Sequence, residues 1–268
     1  MRAAVALGLW LWLAMAAAWA ADDKPLTIGI LNQQTALKTA ERWNPILRYV
    51  TEVTGIPIQM RMGATVADTN AMMGSGEFDL VYTNHNFRPE FDGVYRVIAR
   101  WDAKPIFGVI AVRADSPVKR LADLRRKRVA FPSKNAFVAY AVPMEALGLD
   151  RITIDPVFAS HQEGVLAQLQ AGSVDAAAVN SRFLTQYAAQ QKLAYREIYT
   201  SEGFPDLAVS IHPRVPAAQA SAIQAALLAM GRDPRAAAAL AAAGFTGFHP
   251  ATDRDYDGVR RVYRNVRD

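Results

Sequence analysis

The polar side chains of this sequence gather where its apolar runs stop. Gln33, Gln34 and Thr35 follow the run 26–31, and Tyr82, Thr83, Asn84 and His85 close the run that starts at 78. Ser133, Lys134, Asn135 and Ala136 follow 129–131, Ser160 and His161 follow 152–158, and Asn180, Ser181 and Arg182 follow 173–179. The set is rich in neutral donors, with a histidine and one or two cations, and it holds no paired carboxylates. General acid–base work needs titratable groups of opposed pKa, and metal ligation needs several His or carboxylate side chains at close spacing. Neither pattern occurs, and the sequence has no GxSxG, no P-loop and no GxGxxG. The expected catalytic, metal and cofactor assignments are therefore none, and the expected chemistry is recognition.

Neutral donors at strand ends suit an anion. The stretch 128–148, RVAFPSKNAFVAYAVPMEALG, reads as a buried strand, a polar turn and a helix. A helix N-terminus carries unpaired backbone N–H groups and about half a positive charge, so Ser133, Asn135 and the amides of Ala136 and Phe137 form a candidate anion cradle. Ser133 or Asn135 reads equally as a plain N-cap. His161 stands at a strand end and is read as a hydrogen-bond donor, with a structural histidine as the alternative. Tyr82 offers a wall and an O–H. His85 ranks below it, and His212 and His249, each followed by Pro, read as loop residues.

The elements that must position these groups alternate. Strands are expected at 26–31, 56–62, 78–82, 94–101, 106–113, 129–131, 152–158, 173–179, 195–200 and 207–211, with helices at 40–53, 67–73, around 121–124, after 135, at 164–171 and at 183–191. The Ala-rich stretch 216–243 keeps helical spacing through Ile223, Leu227, Leu228 and Leu240, and a last helix follows Thr252. Strand–helix alternation used twice implies two α/β lobes, each a mostly parallel sheet flanked by helices, in which ligands bind beyond the carboxyl ends of the strands. The expected division is 24–105 plus 212–268 for the first lobe and 106–211 for the second.

The chain has 268 residues, 51% of them hydrophobic and 21% charged, enough for two cored lobes. Residues 1–21 read as a cleaved signal peptide: Arg2, an apolar run, then small residues before Asp22. The run is short for a membrane span of about 20 residues and lacks a basic stop-transfer cluster. Zero cysteines exclude disulfides, thiolate metal sites, a Cys nucleophile and a lipid-bearing cysteine. The net charge of +5 is spread over the chain with no groove-entering motif, so nucleic acid is not an expected partner. A monomer in the periplasm is expected.

These segments resemble the periplasmic solute-binding proteins of the phosphate, phosphite and phosphonate uptake type. The likeness rests on LTIGIL, on Asn44-Pro45 followed by TGIPIQ, on GSGEFDLVY, on VIAVRADSPVKRLADLRRKRVAF, on FASHQEGVLAQLQAG and on SVDAAAV. It implies a two-lobed clamshell with a hinge crossed by two strands, and an oxyanion held between the lobes. It implies that the turn at Ser133 and Asn135 holds the anion, aided by His161 and Tyr82. The strand-end reading adds Thr83, Asn84, Lys134, Ala136, Asn180 and Arg182 to the expected ligand-binding set. The turn Ser133-Lys134-Asn135-Ala136 departs from the Ser-Thr-Ser-Gly-like pattern of that family. Arg182 stands where aminophosphonate binders place an acid, which argues against a ligand with a cationic end. The implied partners are a small anion and the membrane permease of an ABC importer; the alternative is a sensing protein that reports to a sensor kinase.

Overall fold

The computed structural model describes residues 24–31, 36–101 and 104–266. The expected leader and the candidates Gln33, Gln34 and Thr35 lie outside them. The first apolar run forms β1 (Leu26–Ile30), paired in parallel with β2 (Ile58–Arg61) on one side and β3 (Leu80–Thr83) on the other. Helix α1 (Ala36–Thr54) buries Trp43, Ile46, Leu47 and Val50, a stripe at helical spacing turned to the sheet. Helix α2 (Val66–Gly74) starts at a capping box in which Thr65 and Asp68 satisfy each other's backbone N–H. After β4 (Arg96–Trp101) the chain crosses to a second unit.

That unit runs β5 (Gly108–Arg113), β6 (Arg128–Phe131), α3 (Val142–Leu149), β7 (Asp155–Phe158), α4 (Gln162–Gln170), β8 (Ala176–Asn180), α5 (Ser181–Gln191) and β9 (Tyr195–Thr200). The chain then crosses back to β10 (Ala208–Ile211), α6 (Ala217–Ala229), α7 (Ala237–Ala243), β11 (Phe248–Pro250) and α8 (Asp257–Asn265). Two sheets result, ordered β11-β4-β10-β3-β1-β2 and β7-β6-β8-β5-β9. In the first, β1 to β4 run one way and β10 and β11 the other; in the second, β5 alone opposes its neighbours. Because β4 ends at one crossing and β9 at the other, the carboxyl ends of β1 to β4 and of β6 to β9 point at each other. This direction rule follows from pairing alone and puts the site between the lobes.

The two crossing segments pair with each other. Ile106 N–H donates to Phe204 at 2.8 Å and Phe204 N–H returns the bond at 2.9 Å. Gly108 N–H donates to Ser201 Oγ at 3.0 Å. An apolar cluster of Phe87, Ile106, Phe137, Phe204, Tyr256 and Tyr263 straddles this hinge, so α8 packs against both lobes.

Two expectations are corrected. Residues 208–211, assigned by the sequence reading to the second lobe, pair with β3 and β4 and so belong to the first sheet; the second unit ends before 208. The strand is uniformly buried, and nothing in its composition says which sheet it joins. His249, expected in a loop, lies in the edge strand β11, where Pro250 is tolerated because an edge leaves one side unpaired.

Candidate functional site

At the end of β3 the chain turns into a single 3-10 turn, His85 to Phe87, and all three residues are buried. Thr83 Oγ accepts from the His85 N–H at 3.0 Å. The His85 ring sets Nδ1 2.9 Å from Asn70 Oδ1 of α2. Burial, with the Arg88 cation beside it, pushes the His85 pKa down from 6.5 to about 4, against the opposing pull of the Asn135 backbone. Arg88 then reaches across the gap, its Nη2 donating to Asn135 Oδ1 at 3.1 Å. Two groups of the first lobe thus meet one residue of the second, at the turn after β6.

That turn is built differently from the expected helix start. Ala136 N–H donates back to the Ser133 carbonyl at 3.3 Å, so this amide closes the turn and is not part of an open cradle. The following residues, Phe137 to Ala141, form a π turn, with Ala141 N–H bonded to the Ala136 carbonyl at 3.1 Å. The π turn runs into α3 where Pro143 has no N–H to give. The amides of Phe137, Val138 and Ala139 fall outside the helical ladder. The widened turn also brings the Val138 carbonyl onto β5, where a Cβ on Gly108 would lie 2.2 Å from it, so only glycine fits. Ser133, Asn135 and Ala136 are half-buried and Lys134 is exposed.

His161 and Asn180 cap the next two helices. β6 and β7 are paired in register from Arg128 with Asp155 to Phe131 with Phe158, and Ala159 N–H bonds the Phe131 carbonyl, which puts the Ser133 turn and His161 beyond the same end of neighbouring strands. Ser160 takes a positive φ of 65°, turning the chain so that His161 begins α4. His161 Nδ1 accepts from the Gly164 N–H at 3.0 Å. A neutral imidazole that accepts at Nδ1 carries its proton on Nε2, so the cap presents an outward N–H donor. Asn180 N–H donates to Gln162 Oε1 at 2.6 Å, and Asn180 Oδ1 accepts from Arg182 N–H at 2.9 Å. The ends of β8 and α4 are thereby joined. Ser133, Asn135, His161 and Asn180 thus share one rim of the second lobe, and Thr83 and Asn84 lie opposite, both buried.

Two expected site residues are placed elsewhere. Tyr82 is 4% exposed and packs at a tilt against Trp43, ring centroids 4.5 Å apart, inside the core of the first lobe, where burial raises its pKa. Its ring is core packing rather than a wall of the cleft. Arg182 donates through Nη2 to the carbonyls of Lys104 and Pro105 at 2.9 and 3.2 Å and pairs with Asp206 at 3.4 Å. It ties the two crossing segments together instead of facing a ligand. At this end of β3 stand His85, which the sequence reading ranked low, and Arg88, which it did not single out. The sequence signal for them was their place in the polar stretch that follows β3.

Lys134 lines a separate cavity of about 500 Å³ with Arg88, Tyr140, Tyr263 and Arg264. Among the described residues there is no group of three or more His, Cys, Asp or Glu that could hold a metal ion.

Residues 28–256 match the family described as ABC transporter, phosphonate, periplasmic substrate-binding protein. Among curated proteins the comparison finds no match. Among solved structures, XAC2383 from Xanthomonas citri, determined with chloride ion, is similar with a TM-score of 0.77 at 18% identity, over 90% of this chain and 96% of that one. The same protein bound to ATP gives a TM-score of 0.77 at 17% identity, again over 90% and 96%. PhnD1 from Prochlorococcus marinus in complex with methylphosphonate gives 0.73 at 14% identity, over 91% of this chain and 98% of that one. At these identities the structural likeness shows the shared two-lobed fold.

Proposed function

The chain belongs to the phosphonate-type periplasmic substrate-binding family of ABC transporters, and from that premise we propose that it captures a small oxyanion, such as phosphate, phosphite or a phosphonate, between its two lobes. The observation that carries the reading is the rim of neutral donors on the second lobe, Ser133, Asn135, the His161 Nε2–H and Asn180, facing the end of β3. Neutral donors favour an anion without the desolvation cost that burying a full counter-charge would bring. The π turn supports it, since its first amides point out of the helix end.

The mechanism is a shift between open and closed lobes. An anion that touches donors of the second lobe and the β3 end of the first favours the closed form by its differential contacts alone. The Arg88 bond to Asn135 and the paired crossing segments are what closure makes and what it turns about. The closed surface is then what a permease recognises. That PhnD1 was solved with methylphosphonate makes this anion the first probe.

Calorimetric titration with phosphate, phosphite, methylphosphonate and sulfate, beside thermal melts, tests the reading. At least one of the phosphorus anions binds and raises the melting temperature, and Ser133→Ala, Asn135→Ala and His161→Ala each weaken it. If none binds while an apolar solute does, the oxyanion reading is wrong.

A further inference from the structure

Beside the Arg88 bond to Asn135, and outside the rim just described, lies the cavity of about 500 Å³. Arg88 and Glu90 come to it from the first lobe, Lys134 and Tyr140 from the second, and Tyr263 and Arg264 from the end of α8. None of Ser133, His161 or Asn180 lines it. Three cations face it against one carboxylate, and that carboxylate lies 3.8 Å from Arg88. Neither Lys134 nor Arg264 is in an ion pair among the described residues. Tyr263 is buried against the Arg88 guanidinium, whose carbon lies 5.4 Å from the ring centroid, so the two form one wall of the cavity. An excess of positive charge drawn from both lobes and the last helix around one cavity favours an anion there.

We propose that this cavity is a second anion site, separate from the cleft at the strand ends, for a compact polyanion of the phosphoanhydride or phosphate-ester class. Arg88 and Arg264 neutralise its charge, and Lys134 closes on it from the other lobe. An anion held there touches both lobes and the last helix together, so it adds to the closed form independently of the ligand in the cleft. The volume exceeds what a single phosphate needs, which is why a two-phosphoryl anion is the probe.

The test is calorimetric titration of the full chain with inorganic pyrophosphate, alone and with saturating methylphosphonate. Pyrophosphate binds in both cases. Arg264→Glu weakens it about tenfold or more, as expected for loss of a close charge contact, and leaves methylphosphonate affinity unchanged. Val266→Trp, which fills the cavity with no change of charge, blocks it while the melting temperature holds. The proposal is overturned if pyrophosphate does not bind, if methylphosphonate displaces it, or if both Arg264→Glu and Val266→Trp leave its affinity intact. Arg264-dependent pyrophosphate binding in a protein that takes no methylphosphonate supports this cavity and removes only the cleft reading.

Discussion

At the end of β3 the first lobe buries its polar residues, whereas the ends of β6, β7 and β8 leave theirs half-buried or exposed. His85 is 6% exposed, set against Asn70, and held neutral down to a pKa of about 4. His161 is exposed, and its Nδ1 is used up by the Gly164 N–H. The difference assigns different work to the two rims. The first lobe offers a buried, fixed wall, and the second offers accessible donors that a ligand completes. A clamshell built this way loses little order in the first lobe on binding and gains its specificity from the second.

The largest effect that tests this contrast is at Tyr82. Its ring packs against Trp43 at 4.5 Å and Phe245 at 6.2 Å, so Tyr82→Ala should cost about 3–5 kcal/mol of stability, as other large aromatic truncations in cores do. Denaturant unfolding measures the loss. Tyr82→Phe, which removes only the hydroxyl, should leave methylphosphonate affinity unchanged. A drop in affinity with Tyr82→Phe would put that hydroxyl on the ligand and make the first rim a donor surface after all.

His85 gives the next effect, through pH. Its pKa falls from 6.5 to about 4 on folding, so the unfolded chain takes up a proton in a range where the folded one does not. The stability this group contributes is complete above 6.5 and is lost as pH falls towards 4, a decline on the order of 3 kcal/mol if burial is full. The charged group facing it is Arg88, with Asn70 and Asn135 as its neutral neighbours, and protonation would set two cations side by side against the second lobe. Urea unfolding at pH 7 and pH 5 should show the wild type weakening and His85→Gln staying flat over that interval. An equal slope in the variant would mean that the buried wall does not depend on a neutral His85.

The fold was largely legible because its strands are apolar runs bounded by polar turns. The strands expected at 26–31, 195–200 and 129–131 lie within a residue of β1, β9 and β6, and α1 announced itself through Trp43, Ile46, Leu47 and Val50. What stayed hidden depends on partners far along the chain. All four residues of β3 are buried, so period-two alternation cannot tell which face Tyr82 takes when both faces are covered. The sheet that β10 joins, the carbonyls that Arg182 binds across 77 and 78 residues, and the contact of His85 with residue 135 are set by topology. The π turn needs Pro143 and the bare backbone of Gly108 at once, two features each unremarkable alone. The caps at His161 and Asn180 were legible as strand-end residues, although their use as caps was not.

A smaller effect on the second rim comes from His161→Ala. The cap on Gly164 is worth about 1 kcal/mol of stability, and the lost Nε2 donor should lower methylphosphonate affinity about tenfold, close to 1.4 kcal/mol. Calorimetry and thermal melting on the same variant separate the two losses. His161→Asn, which restores the cap without the outward N–H of the ring, should recover the stability and leave the affinity low. Recovery of both would make His161 a structural cap only.

The smallest effect belongs to Arg182, and it decides whether the hinge or the rim owns that cation. Its Nη2 serves the carbonyls of Lys104 and Pro105 and its Nη1 meets Asp206, so the guanidinium holds the outgoing and returning crossing segments in one place. The side chain is 37% exposed, which screens the ion pair, so Arg182→Gln should cost about 1 kcal/mol of stability or less. Methylphosphonate affinity should stay the same, because a ligand at the rim meets Asn180 and His161 and not this guanidinium. Loss of affinity on a scale set by charge, falling away as salt is raised, would return Arg182 to the ligand and give the second rim a cation of its own. Unchanged affinity with slightly lower stability leaves that rim uncharged, its selectivity for an anion resting on aimed N–H groups alone.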